Sequence, residues 1–291
     1  MSGMRILVTG ARGMLGADLC EILAAAGHTP LPTDVRAGDG VYPLDITDSA
    51  AVNALFGELR PDVVIHCAAY TNVDQAEREP DPAYRVNALG SWVIGAACGE
   101  RDIPVAAIST DFVFDGTKAG AYVEFDSPNP LGAYGASKLA GEQCIRQTAR
   151  RHWIVRTSWL YGVHGKCFPD TILRAAETRP ELKVIADQRG TPTFTRDLGA
   201  ALLQIIQSPL YGIYHVANTG ATTWYEFARR ALELAGNNTT KVLPLTAAEW
   251  PSPTRRPANS ALRPFAMELQ GMELPRRWEE ALEEYVRRRG E

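Results

Sequence analysis

Tyr134 and Lys138 stand four residues apart in the string Tyr-Gly-Ala-Ser-Lys. On a helix that spacing puts both side chains on one face. An ammonium beside a phenol stabilises tyrosinate and lowers the pKa of the hydroxyl, so the tyrosine becomes a usable acid or base. An exposed Tyr–Lys pair on a helix is also common, so the pair takes its meaning from its surroundings. Ser109, Thr110 and Asp111 open the string STDFVFDG directly after an apolar run. That puts them at the carboxyl end of a strand, where open α/β sheets bind their ligands. A hydroxyl there can hold a substrate oxygen. The bland alternative is a Ser/Thr turn that merely ends the strand.

A third feature is TGARGMLG, with Gly10, Gly13 and Gly16 between a strand pattern and a helix pattern. Glycine allows a sharp turn and a close approach to a pyrophosphate, and the following helix N-terminus offers N–H groups and a positive dipole end. The alternative is a tight turn that needs glycine for its own sake. Asp34 follows the second strand pattern, where a carboxylate binds adenosine ribose hydroxyls and disfavours a 2′-phosphate. Arg36, two residues on, would instead welcome that phosphate. Asp45, in LDIT, can bind an adenine amino group or simply enter a helix.

These groups need a scaffold. Apolar β-rich runs alternate with helical patterns: a strand at Ile6–Val8, a helix at Met14–Ala26, a helix capped by Thr47 or Asp48 and running through Leu59, and a strand at Val63–Cys67. A long helix at Pro82–Gly99, a strand at Val105–Ser109, a helix at Tyr134–Thr148 and a strand at Trp153–Thr157 continue the rhythm. Buried parallel strands read as unbroken apolar runs, and βαβ alternation predicts a Rossmann-type doubly wound parallel sheet in an α/β fold. Beyond Val163 the rhythm loosens into helices at Phe168–Thr178, Asp197–Gln207, Trp224–Leu234 and Trp278–Arg288, with a Pro-rich loop at Pro251–Pro264. This predicts a smaller C-terminal substrate-binding lobe of about 165–182 plus 216–291. The dinucleotide-binding unit would then hold 1–164 plus about 183–215.

Composition excludes several classes. A net charge of -4 gives no nucleic-acid footprint, and the Arg287–Arg289 run reads as a solvated helix end. No apolar run approaches a membrane span, and no secretion signal is visible. The five cysteines include no close pair and read as reduced thiols of a cytoplasmic protein. The five histidines never fall at i, i+4, so no zinc site is expected.

Together the glycine loop, STDFVFDG and the Tyr–Lys pair resemble the extended short-chain dehydrogenase/reductase family over nearly the whole chain. HCAAYTNVDQAE, VNALG, RTSWLYG, ADQRGTPTFTRDL and RPANSAL narrow the resemblance to its dTDP-4-dehydrorhamnose reductase branch. The resemblance implies reduction, by NADPH or NADH, of a 4-keto group on a dTDP-linked 6-deoxy sugar. It implies Thr110, Tyr134 and Lys138 as the catalytic set. Cofactor contacts would come from Gly10, Gly13, Met14, Leu15, Gly16, Asp34, Asp45, Ile46, Ala68, Ala69, Tyr70 and Asn87, with Tyr134 and Lys138. Substrate contacts would come from Thr71, Val73, Thr110 and Asp111. They would also come from Trp159, unless it is a core tryptophan, and from Arg256, unless it is a solvated arginine. Some members form magnesium-linked dimers, so Mg2+ and a homodimer are expectations to which no ligand residue can be attached. One departure is Cys167, where asparagine is expected, which puts a polar ligand contact there in doubt. Two rivals stand beside the reductase. One is a non-catalytic regulatory subunit like that of methionine adenosyltransferase, which need not keep the acid/base pair present here. The other is a nucleotide-sugar epimerase, which returns its cofactor unchanged.

Overall fold

The computed structural model describes residues 3–38 and 40–290. In chain order the first half runs β1 (Arg5–Thr9), α1 (Met14–Ala25), β2 (Thr29–Asp34), β3 (Tyr42–Pro43), α2 (Ser49–Leu59), β4 (Val63–His66), α3 (Val73–Arg78), α4 (Pro80–Tyr84), α5 (Ser91–Glu100), β5 (Val105–Thr110), α6 (Ala133–Thr148) and β6 (His152–Thr157). The second half runs β7 (Leu160–Tyr161), α7 (Phe168–Ala176), β8 (Glu181–Ile185), β9 (Arg189–Gly190), β10 (Thr193–Phe194), α8 (Thr195–Ile205), β11 (Gly212–His215), β12 (Thr222–Thr223), α9 (Trp224–Leu234), β13 (Lys241–Leu245), α10 (Phe265–Leu269) and α11 (Trp278–Arg289).

Seven strands form one sheet in the order β11-β6-β5-β4-β1-β2-β3, every pairing parallel. The fully buried β4 residues, Val-Val-Ile-His, show why the run is apolar: helices cover both faces. On one face α1 and α8 bury Leu15, Leu19, Leu23, Leu198 and Leu202. On the other, α2, α5 and α6 bury Val52, Phe56, Ile94 and Ile145. Strand order reverses between β1 and β4, which makes their carboxyl ends the expected ligand crevice.

A separate apolar cluster lies outside the sheet, built from α7, α9 and α11 around Tyr161, Phe194, Phe227, Trp278 and Tyr285. Residues 183–185, grouped with the dinucleotide-binding unit from the sequence, belong to β8, which pairs with β13 and not with the main sheet. The helix expected at Pro82–Gly99 runs as α4, a π-helical turn at Arg85–Gly90, and α5. The terminal arginines are not merely solvated: Arg289 pairs with Asp170 at 2.8 Å, tying α11 to α7.

Candidate active site

The glycine loop is forced by crowding. Gly10 has φ +67, and a Cβ there would lie 2.8 Å from the Ala68 backbone. The β1 and β4 ends therefore meet closely only with glycine at this position. After it, α1 opens at Gly13 with no side-chain cap and no acidic residue in its first turn. Such a helix end suits an anion. Opposite, Asp34 is buried and accepts the Arg12 N–H at 3.1 Å and the Arg36 N–H at 3.0 Å, with the Arg36 guanidinium 3.4 Å away. Asp45, further along the wall, accepts the Thr47 N–H and hydroxyl at 2.9 and 2.8 Å.

From this loop a cleft of about 870 Å³ runs across the β4 and β5 ends to the lobe. That is ample for a small-molecule site. It takes in Thr110, Tyr134 and Lys138, the set expected to be catalytic. It also takes in Met14, Leu15, Gly16, Ile46, Ala68, Ala69, Tyr70, Thr71, Val73, Asp111, Trp159 and Arg256. β5 ends on Thr110, whose backbone faces Thr157 of β6. α6 packs tightly behind it: a Cβ on Gly135 would sit 2.2 Å from the Phe112 carbonyl. Phe112 meets the Tyr134 ring edge-on at 5.6 Å.

Burial sets the acid–base character. The expectation that Lys138 lowers the Tyr134 pKa is corrected here. Desolvation pushes the phenol up to about 12, Asp111 pushes the same way, and a hydrogen bond with the Thr110 hydroxyl only partly opposes them. Lys138 is buried and donates to the Ile108 carbonyl at 2.7 Å. Its own burial lowers it to about 8, against the pull of Glu142 and Cys67. Asp111 is buried and pushed up to about 7, although Ser260 and Thr110 hydrogen-bond to it. One turn beyond Lys138, Glu142 receives the Ser109 hydroxyl at 2.5 Å and the buried Arg156 guanidinium at 2.9 and 2.7 Å.

Asn87 is a correction of another kind. It does not line the cleft. Buried on the π-helical turn, its amide accepts the Tyr70 N–H at 2.8 Å and donates to the Tyr70 carbonyl and the Ser137 hydroxyl at 3.1 and 3.0 Å. Ser137 donates in turn to the Tyr134 carbonyl at 2.8 Å. Behind it a directed chain completes the tie. The Ala68 N–H donates to Thr9, Thr9 bonds His66 Nδ1 at 2.8 Å, His66 Nε2 bonds Ser91 at 3.2 Å, and Ser91 donates to the Asn87 carbonyl at 2.7 Å. Burial holds His66 down to about 3, so it stays neutral and can serve as donor on one nitrogen and acceptor on the other. Asn87 thus clamps the Tyr70 segment of the cleft wall to α6, the helix that carries Tyr134 and Lys138.

Cys167 also lies off the cleft, with its thiol 3.3 Å from the Tyr285 hydroxyl. Arg256 lines the cleft yet pairs with Asp74 at 3.3 Å. Arg12, Gln188, Trp224 and Ser260 line it as well; Arg12, Gln188 and Ser260 lie inside the strings TGARGMLG, ADQRGTPTFTRDL and RPANSAL but are not among the contacts expected from them, and Trp224 lies in none of the family-like strings. Among the described residues, Asp18, Glu21 and His164 form the group with metal-ligand chemistry. Arg196 already sits 3.3 Å from Asp18 and 3.1 Å from Glu21, and Thr195 donates to Asp18. Nothing in that cluster points to magnesium.

Comparison with known proteins agrees with this geometry. Residues 4–290 match the family described as RmlD substrate binding domain. A Bacillus subtilis (strain 168) protein named spore coat polysaccharide biosynthesis protein SpsK is 41% identical, over 98% of both chains. The crystal structure of a dTDP-4-dehydrorhamnose reductase from Clostridium acetobutylicum ATCC 824 superposes with TM-score 0.94 at 41% identity, covering 99% of this chain and 100% of that one. The Bacillus anthracis str. Ames dTDP-4-dehydrorhamnose reductase, solved in complex with NADP, superposes with TM-score 0.93 at 40% identity, covering 98% and 99%. With a Rossmann sheet, a glycine loop and a Thr–Tyr–Lys cleft in place, the chain belongs to the RmlD substrate binding domain family of extended short-chain dehydrogenase/reductases.

Proposed function

We propose that the protein reduces the 4-keto group of a dTDP-linked 6-deoxy-hexulose, dTDP-4-dehydrorhamnose to dTDP-L-rhamnose, using NADPH or NADH. The observation that carries this is the meeting of Thr110, Tyr134 and Lys138 in the same cleft as an uncapped helix N-terminus and its glycine loop. The cofactor fits that cradle: Gly10 lets the chain turn tightly against the Ala68 backbone on its way into α1, and the uncapped α1 N-terminus offers its N–H groups to a pyrophosphate. Reduced nicotinamide, when bound, supplies the hydride.

The residues do the rest. With its pKa near 12, Tyr134 keeps its proton at neutral pH and gives it to the oxygen at C4 as negative charge develops there. Thr110 hydrogen-bonds the same oxygen and orients it. Lys138 holds the nicotinamide ribose. Ala68–Tyr70 flanks the cofactor, Thr71, Val73 and Asp111 reach the sugar, and Trp159 packs on it. Arg256 faces the diphosphate, its charge shared with Asp74. At the adenosine end, Asp34 suits free ribose hydroxyls while Arg12 and Arg36 suit a 2′-phosphate, which supports use of both cofactors. All five cysteines are unpaired, which fits a reducing compartment such as the cytoplasm.

The test is NADPH absorbance with dTDP-4-dehydrorhamnose. Wild type should consume the cofactor stoichiometrically, and Tyr134→Phe should lose about 10²- to 10⁴-fold in turnover while still binding it. Turnover in Tyr134→Phe near that of wild type would end the assignment. Product formed without net NADPH consumption would mark an epimerase instead.

A further inference from the structure

Trp159 has an unusual backbone for a bulky residue. Its φ is +47, in the left-handed region that side chains other than glycine, asparagine and aspartate seldom occupy. Such a conformation persists only where the surroundings enforce it, and it clusters at ligand sites. Its side chain is not free either. The Trp224 ring lies flat on the Trp159 ring, with centroids 3.5 Å apart and planes 9° from parallel. Both indoles line the cleft, and Trp159 stands two residues beyond Thr157, the β6 partner of Thr110.

Trp224 is itself held from three directions. It is the first residue of α9, which begins at a Thr223–Glu226 capping box. The preceding β12 pairs with β9 at Gly190 and Arg189. Gly190 has no side chain for a reason: a Cβ there would lie 2.3 Å from the Trp159 ring. Behind, Trp224 packs on Phe168 at 4.5 Å, which joins it to the aromatic core of the lobe. This stacked pair is thus one of the places where the lobe reaches the cleft.

We propose that Trp224 is a positioning residue for the sugar of the substrate: by stacking on Trp159 it holds that indole as a rigid apolar wall beside the reacting carbonyl. This rests on the proposed reduction for the identity of the sugar. A flat indole offers the apolar face of a 6-deoxy ring a complementary surface, and a freely rotating one does not. Trp224 acts through Trp159, so its loss costs sugar affinity and spares the cofactor end of the cleft, which is built on β1, β2 and β4.

The experiment compares wild type, Trp224→Leu and Trp224→Phe. Calorimetric titration with dTDP-L-rhamnose reads sugar binding without turnover, and NADPH oxidation with dTDP-4-dehydrorhamnose gives KM and kcat. Cofactor affinity comes from NADPH fluorescence, and the stack itself from the exciton couplet of paired indoles in circular dichroism. Trp224→Leu should lose the couplet, weaken dTDP-L-rhamnose and raise KM by roughly 3- to 10-fold, the range of one aromatic pair, with NADPH affinity unchanged. Trp224→Phe, which keeps a ring on Trp159, should bind the sugar nucleotide within about twofold of wild type. Unchanged dTDP-L-rhamnose affinity in Trp224→Leu once the couplet is gone would overturn the proposal. So would a parallel loss of NADPH affinity, which would mean general loosening of the fold. A wild type that binds dTDP-L-rhamnose but reduces nothing would overturn the reductase reading and leave this one standing.

Discussion

Raising the pH should release NADPH from the wild-type protein, with a midpoint near pH 8. Lys138 is buried on α6, and desolvation brings it down from its ordinary 10.5 to about 8. Its proposed work needs the charged form, which donates to the ribose and attracts the negative cofactor. At a pKa of about 8, roughly nine molecules in ten carry that charge at pH 7 and one in ten at pH 9, so affinity should fall about tenfold across the interval. The proton is taken up on binding, so the heat of binding near pH 8 should vary with the ionisation enthalpy of the buffer. The cofactor-free protein should show the opposite trend in stability. Between about pH 8 and 10.5 the unfolded chain holds the Lys138 proton and the folded chain does not, so stability gains from this group as pH rises. The assay is NADPH affinity by fluorescence from pH 7 to 9.5, in wild type and in Lys138→Met. Lys138→Met should bind weakly with little slope. A flat wild-type profile, or the same slope in Lys138→Met, would refute the reasoning.

Asp34→Ala should shift the kcat/KM ratio toward NADPH, because Arg12 and Arg36 then face the 2′-phosphate without a carboxylate; an unchanged ratio would show that Asp34 does not read the ribose. Glu142→Gln should cost about 3–5 kcal/mol in urea unfolding, since it leaves the buried Arg156 charge poorly matched, whereas Glu142→Met with Arg156→Met should recover most of it. A double variant no more stable than the single one would contradict that account. The protein should not dehydrate dTDP-glucose with NAD⁺, because the residue after Asp111 is Phe112, which cannot share acid and base roles with it; steady 4-keto product, followed by its absorbance in alkali, would show this wrong.

The sheet was legible because its signals are local. Val63–His66 is apolar because both faces are covered, and Asp48 does cap α2, its carboxylate accepting two N–H groups. The lobe was less legible. β8 reads Glu-Leu-Lys-Val-Ile and β13 Lys-Val-Leu-Pro-Leu, half-exposed strands whose partnership depends on distant chain segments. Periodicity names such strands poorly and their partners not at all.

In the site, the residues that meet in the cleft were legible and their tuning was not. A helical i, i+4 rule brings Tyr134 and Lys138 together and suggests that the ammonium depresses the phenol. That rule counts neighbours and ignores solvent. Once both side chains enter the cleft, desolvation acts on each in the direction of its neutral form: Tyr134 rises toward 12 and Lys138 falls toward 8. For a dehydrogenase acting as an oxidant, a phenol that holds its proton so firmly would be a poor base. For a reductase it is the useful state, because the reacting oxygen needs a proton delivered. The same burial that defeats the sequence rule therefore keeps Tyr134 in its proton-donating form, and Asn87 ties the helix that carries it to a neighbouring segment. Its side chain spans from Tyr70 to Ser137, so the wall proposed to flank the cofactor and the helix proposed to carry the acid are held as one unit. No spacing rule within one element could show a clamp whose halves come from separate crossovers of the sheet.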